Sequence, residues 1–158
     1  MLEKIDDPDL TALYAYWAGK CGQRAMPCRD DIDLSEIPSL LRHVFIVEIH
    51  RPIRLRFRFR LVGSAICARW GQDLTDRWLD KLDCDGERNT ILRQYAAVAE
   101  TGEPRFDIEE FVSEHGRYLH YRRLLLPLSD DGGMPNMLFG GQKSIGIDGY
   151  QVSVPNCM

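Results

Sequence analysis

The chain has 158 residues, 44% hydrophobic and 28% charged, a balance that suits one compact core and excludes a disordered tail, a collagen-like or a mucin-like chain. Twenty Lys and Arg against 24 Asp and Glu leave a formal charge of −4; coating nucleic acid or anionic lipid needs a positive field, so neither partner is expected. Apolar runs such as Leu124-Leu125-Leu126 fall far short of the roughly 20 residues that span a bilayer, and Met1-Leu2-Glu3-Lys4-Ile5-Asp6-Asp7 lacks the basic-then-apolar start of a secretory signal, so a cytoplasmic location is expected.

Asp7-Pro8 is a helix start, with Asp as N-cap and Pro at the first helical position. Leu10, Leu13, Tyr14 and Trp17 follow at i, i+3, i+4 and i+7, an amphipathic helix with an aromatic stripe that Gly19 and Gly22 are expected to stop. A polar stretch from Cys21 to Asp33 leads to Asp33-Leu34-Ser35-Glu36, which has capping-box spacing for a turn or two of helix kept short by Pro38. From His43 the period becomes that of a strand. His43 to His50 is rich in β-branched residues, Arg51-Pro52-Ile53 breaks it, and Arg54 to Leu61 alternates strictly, so an antiparallel hairpin is predicted.

Gly63-Ser64 ends the hairpin. A turn or two of helix from Ser64 or Ala65 to Trp70 is closed by Gly71, and Asp73 is expected to cap another short helix through Leu79. The clearest helix runs from about Glu87 to Thr101, with Asp85 as N-cap, Ile91, Leu92, Tyr95, Val98 and Ala99 on one face, and Gly102 and Pro104 as stops. Three strands close the chain, Arg105 to Ser113, Tyr118 to Leu128 and Asn136 to Ile147, separated by the turn-forming Glu114-His115-Gly116 and Ser129-Asp130-Asp131-Gly132-Gly133. The short links favour one antiparallel sheet covered by helices on one face, an α+β fold.

Two strands, a helical insert and a three-stranded meander follow the order of a PAS domain. Arg24-Ala25-Met26-Pro27-Cys28-Arg29-Asp30-Asp31-Ile32-Asp33, Phe59-Arg60-Leu61-Val62-Gly63-Ser64-Ala65-Ile66 with Gly71-Gln72-Asp73-Leu74-Thr75, and Leu124-Leu125-Leu126-Pro127-Leu128-Ser129-Asp130-Asp131-Gly132 resemble the PAS-like family of short alphaproteobacterial proteins. The likeness covers roughly Leu13 to Gln142; Cys28 and Leu34 depart from it, standing where a small polar residue and a proline are expected. It implies a five-stranded antiparallel sheet in the order 2-1-5-4-3, a helical cup with a small cavity, and a bacterial sensory or interaction module in signal transduction. The implied organisation is an N-terminal helix and connecting segment over residues 1–36, the PAS-like domain over 37–148 and a C-terminal tail over 149–158. With no kinase, cyclase or DNA-binding segment in the sequence, output is expected through contact with a signalling partner.

The five cysteines, Cys21, Cys28, Cys67, Cys84 and Cys157, form no CxxC and no CxxCH, so disulfides, zinc and c-type haem are not indicated and the thiols read as reduced. No GxSxG elbow is present, and Cys84 reads as an ordinary loop thiol. The Asn-Cys-Arg-Phe-Leu-Gln motif of light-sensing flavin PAS domains is missing, Cys67 lying in Ala65-Ile66-Cys67-Ala68-Arg69, so no flavin adduct is expected. An EF-hand loop from Asp83 would need Gly at Arg88 and Glu at Gln94, and fails at both. Haem ligation finds no histidine on the long helix; His43 and His50 flank a strand, His115 sits in a turn and His120 in a strand. Arg54, Arg56, Arg58 and Arg60 form a row on the strand face opposite Phe57 and Phe59. The row reads as protection of an edge strand, with Glu48, Glu109 and Glu110 as neutralising partners, or as an anion-recognition strip.

The residues expected to face the cup and form a ligand pocket are Phe57, Phe59, Trp70, Tyr95, Tyr121, Leu125 and Met137; the polar atoms of Trp70, Tyr95 and Tyr121 make them the ones suited to orient a ligand. The cofactor remains open. A homodimer is expected, with Leu10, Leu13, Tyr14 and Trp17 packing on a second copy or on the chain's own sheet. The reading is a non-catalytic module that binds a small molecule or a protein partner. Its rivals are a small α+β cavity enzyme that acts on a hydrophobic substrate through an Asp or His facing the cup, and a pocketless dimerisation domain.

Overall fold

The computed structural model describes residues 2–82, 88–112, 116 and 118–145. Five strands, β1 (Val44–His50), β2 (Arg56–Val62), β3 (Arg105–Val112), β4 (Tyr118–Leu128) and β5 (Met137–Ser144), form one antiparallel sheet in the order β2-β1-β5-β4-β3. The α+β architecture and strand order expected from the sequence are both present. The helices are α1 (Pro8–Cys21), α2 (Ser64–Trp70) and α3 (Arg88–Thr101), with short 3-10 turns between them.

Helices cover both faces of the sheet, not one. On the first face α2, α3 and the 3-10 turn Leu79–Lys81 close a cup over Phe45, Val47, Phe57, Phe59, Leu119, Tyr121, Leu125 and Leu138. On the second, α1 and the segment after it pack on Val44, Ile46, Leu124, Leu126, Leu128 and Phe139. The physical reason lies in β4, whose run from Leu124 to Leu128 is buried at every position; a strand with apolar side chains on both faces needs cover on both. The aromatic stripe therefore takes the intrachain option. Leu10, Leu13 and Trp17 are buried, Tyr14 packs beside them, and Trp17 Nε1–H donates to the Pro127 carbonyl at 2.9 Å. The expected docking stripe is therefore corrected: Leu10, Leu13 and Trp17 are core of this chain, not a surface awaiting a second copy. Gly141 in β5 permits this close seat, because a Cβ there would lie 2.7 Å from the Cδ2 atoms of Leu10 and Leu13.

Helix ends follow local chemistry with informative exceptions. Asp7 Oδ1 accepts from Leu10 N–H at 3.0 Å, the expected N-cap, but α1 runs through Gly19 and ends only where Gly22 takes φ 60°. Asp33 caps its turn through Ser35 N–H, while Glu36, expected to complete a capping box, pairs with Lys20 at 2.9 Å and accepts from Tyr16 Oη at 3.0 Å. Pro38 starts a further 3-10 helix, Pro38–His43, at its first position.

The helix expected from Asp73 through Leu79 is absent. Asp73 Oδ1 instead holds Thr75 N–H in a turn, Asp76 has φ 67°, and the chain runs alongside the outer edge of β2. There Phe59 N–H donates to the Arg77 carbonyl and Asp76 N–H to the Phe59 carbonyl, at 2.9 and 2.8 Å. The free edge of β2 offers the segment better hydrogen bonds than one more turn of helix. The Asp85 cap, Cys84, His115, Cys157 and the tail lie outside the described residues. Cys21, Cys28 and Cys67 are free thiols. No helix among the described residues is long and apolar enough to cross a membrane.

Candidate ligand site in the cup

The inner face of the sheet meets α2 and α3 around a narrow cavity of about 10 Å³, room for roughly one water. Phe45, Phe59, Ile66, Trp70, Leu74, Leu79, Leu82, Ile91 and Tyr95 form its apolar wall, and Arg123 and Gln142 form its polar one. Of the residues expected to shape a pocket, Phe59, Trp70 and Tyr95 line it. Tyr121 and Leu125 belong to the same cluster behind them. Phe57 lies in the cluster too but lines an open depression of about 380 Å³ between β2 and α3, with Leu55, Asn89, Leu92, Arg93 and Ala96. Met137 does not face the cup: it pairs with Glu48 and Leu128 on the second face and packs in the α1 core.

Four buried polar residues in this region were not singled out from the sequence: Arg69, Gln94, Arg123 and Gln142, each 3 to 5% exposed. Arg123 of β4 and Gln142 of β5 are direct cross-strand neighbours on the cup side. Arg123 donates to Gln94 Oε1 at 3.0 Å and to Tyr121 Oη at 2.5 Å, and its guanidinium lies 4.9 Å from the Tyr121 ring centroid and 5.4 Å from that of Tyr95. Gln94 in turn donates to Glu109 Oε1. Burial opposes the charge on Arg123, but the surrounding Tyr121, Tyr95, Glu109 and Asp107 more than offset it and hold the guanidinium protonated. The Arg123 Nε–H and the Gln142 amide nitrogen find no acceptor. Arg69, at the end of α2, donates to the His120 carbonyl at 2.6 Å and to Ser144 Oγ, and its guanidinium lies 5.3 Å from the Tyr121 ring centroid, which ties the cup wall to β4 and β5.

A period-two reading finds Arg123. With Tyr121 and Leu125 assigned to the cup, the residue midway between them must share their face. Gln142 needs the β4–β5 register as well, which the sequence does not supply.

The arginine row lies where the alternation puts it, opposite the buried Phe57 and Phe59. Of its expected partners Glu48 is one, and Asp76 and Asp80 take the place of Glu109 and Glu110. Arg56 makes hydrogen bonds to Asp80 at 3.2–3.3 Å and stacks 3.9 Å from the Trp78 ring centroid. Arg58 and Arg60 approach Asp76 at 3.6 and 3.7 Å, and Glu48 lies 3.7 Å from Arg60. Glu109 and Glu110 sit on β3 at the far edge of the sheet and bond instead to Gln94 and Tyr118. None of the described histidines lines the cavity, and no three described His, Cys, Asp or Glu side chains are grouped to hold a metal.

A five-stranded antiparallel sheet in this order with a helical cup is the PAS fold. A family model described as "PAS domain" matches residues 5–142, and the chain belongs to that family. Among solved structures it is similar to a light-oxygen-voltage domain studied with a flavin analogue (TM-score 0.55, 12% identity, covering 72% of this chain and 84% of that one). It is similar also to the PAS domain of Bordetella pertussis BvgS (0.50, 19%, 72% and 87%) and to the Rhodobacter sphaeroides LOV protein (0.53, 11%, 73% and 69%). At these identities the likeness concerns the fold alone. No curated protein matches the chain in sequence.

Proposed function

We propose that this PAS domain is a cytoplasmic sensory module that takes a small molecule into its cup and passes the event on by contact with another protein. PAS domains are in general sensory or interaction modules of signalling, which supplies the class. The observation that carries the ligand reading is the pair of buried donors, Arg123 Nε–H and the Gln142 amide, without acceptors at the wall of an otherwise apolar cavity. An unsatisfied buried donor costs about 1–3 kcal/mol, more when charged, and a bound acceptor recovers that cost. The cavity-enzyme alternative called for a carboxylate or imidazole facing the cup. Among the described residues the wall instead carries a guanidinium, an amide, a phenol and an indole, groups that bind and orient. A homodimer is kept as part of the proposal, with its contact moved off the buried α1 stripe.

Native mass spectrometry of freshly purified full-length chain tests the reading. The expected result is a small-molecule adduct that is lost on denaturation. Bare protein mass, together with no thermal shift across a library of small metabolites, would overturn the ligand reading.

A further inference from the structure

We propose that the ligand of the cup is a small apolar carboxylate, its body against Phe59, Ile66, Trp70 and Leu74 and its carboxylate against Arg123 and Gln142. This deepens, and rests on, the cup-binding reading. Arg123 is a buried cation whose direct hydrogen-bond partners are both neutral, the Gln94 amide oxygen and the Tyr121 hydroxyl. Glu109 is one glutamine removed in the hydrogen-bond network, and Asp107, opposite Arg123 on β3, is hydrogen-bonded to Arg105. Two of its five N–H groups are engaged by these partners, and Nε–H has none.

Asp107 stands opposite Arg123 in the β3–β4 register and, with Glu109, offsets the cost of burying the charge; what is left unmet is hydrogen bonding, at the Arg123 Nε–H and the Gln142 amide. One water would satisfy the Nε–H, but only with a neutral acceptor. A neutral ligand would do the same. A carboxylate makes the stronger, charge-assisted hydrogen bond, and its second oxygen meets the donor that Gln142 presents from the adjacent strand, since Arg123 and Gln142 are paired in the β4–β5 register. The rest of the wall is hydrocarbon and aromatic, which selects an apolar body and rejects a second charge. With room for about one water in the closed cup, the ligand must be small and the helical wall must move outward to admit it.

Isothermal titration calorimetry and amide NMR on the full chain provide the test, with benzoate and 3-methylbutanoate as probes and benzyl alcohol and 3-methylbutan-1-ol as their neutral counterparts. The acids are expected to bind about 10- to 100-fold more tightly than the alcohols, with shifts at Trp70, Tyr95 and Arg123. Arg123→Met is expected to abolish that preference, and Gln142→Leu to reduce it while the guanidinium remains. Should Arg123→Met fail to fold, the Gln142→Leu preference decides. Alcohols binding as tightly as acids, or a preference unchanged in both variants, would overturn carboxylate recognition and leave cup binding standing. No response to any of the four probes, in a protein whose native mass shows a retained neutral molecule, would overturn carboxylate recognition likewise; no response and no retained molecule would remove both readings.

Discussion

Phe59 joins the alternation of β2 to the aromatic centre of the cup. It is buried, meets Phe45 edge-on with ring centroids 6.2 Å apart, and lines the cavity, while Phe45 stacks on Tyr95 at 6.3 Å. Phe59→Ala is expected to cost about 3–5 kcal/mol, because the void lies among side chains held by both a strand and a helix. Urea unfolding monitored by tryptophan fluorescence checks this, and a parental midpoint would contradict the placement. Arg123→Met removes the guanidinium but strands the buried Gln94 Oε1, and is expected to lower stability by about 1–3 kcal/mol. Gln94→Leu, which strands one donor of Arg123 and the acceptor of Glu109, should lower stability by about 1–3 kcal/mol as well. The two variants compared in one denaturation series measure what the Arg123–Gln94 hydrogen bond contributes to the fold.

Two elements owe their positions to what lies beside them. Helix α1 starts where Asp7 and Pro8 dictate, but its seat depends on Gly141 and on the Trp17 hydrogen bond to Pro127. Gly141→Val places a side chain against Leu10 and Leu13 and should destabilise by about 1–3 kcal/mol, with faster amide exchange concentrated in α1. Uniform acceleration across the sheet would argue against a local displacement. The segment from Asp73 to Lys81 shows the converse case. Its helix signals are local and weak, and the unpaired edge of β2 outcompetes them, with Trp78 then caught between Arg56 and the edge of His50 at 4.9 Å.

Across the whole molecule, electrostatics and assembly follow from the second face. The guanidinium of Arg122 hydrogen-bonded to Asp6 at 2.6 Å keeps that carboxyl below the usual range, and contacts with Cys28, Ser35 and Lys20 do the same for Asp31, Asp33 and Glu36 respectively. Burial, aided by Lys143 and Arg42, lowers His43. In each case the unfolded chain holds its proton more tightly, so the stability these groups contribute is present above the unfolded pKa and lost as pH falls through the folded one. The urea midpoint is therefore expected to decline shallowly below about pH 6.5, a step that His43→Gln removes, and more steeply below about pH 4. The carboxylates are exposed or, for Asp31, partly exposed, so the acid-side step should shrink in high salt. For assembly, a Leu13→Asp, Trp17→Asp double variant should lose cooperative folding altogether, since both side chains are core. A folded monomer by light scattering and near-ultraviolet circular dichroism would instead make the stripe an interface.

Strand and helix identity was legible in the sequence wherever one face of an element alternates or repeats without competition: the strict period of Arg54 to Leu61, the stripe of α1, the apolar face of α3. The motif likeness carried the strand order, which periodicity alone leaves open. Arg123 was also within reach, since two assigned neighbours on β4 enforce its side. Tertiary structure alone decided the rest, and for one physical reason: these choices depend on partners distant in sequence. Whether α1 covers its own sheet or another copy turns on Gly141 and Pro127, more than 100 residues away. Met137 is placed by its pairing with Glu48 and Leu128, the arginine row is neutralised by Asp76 and Asp80 because β3 lies at the opposite edge, and Gln142 meets Arg123 only through the register of two strands.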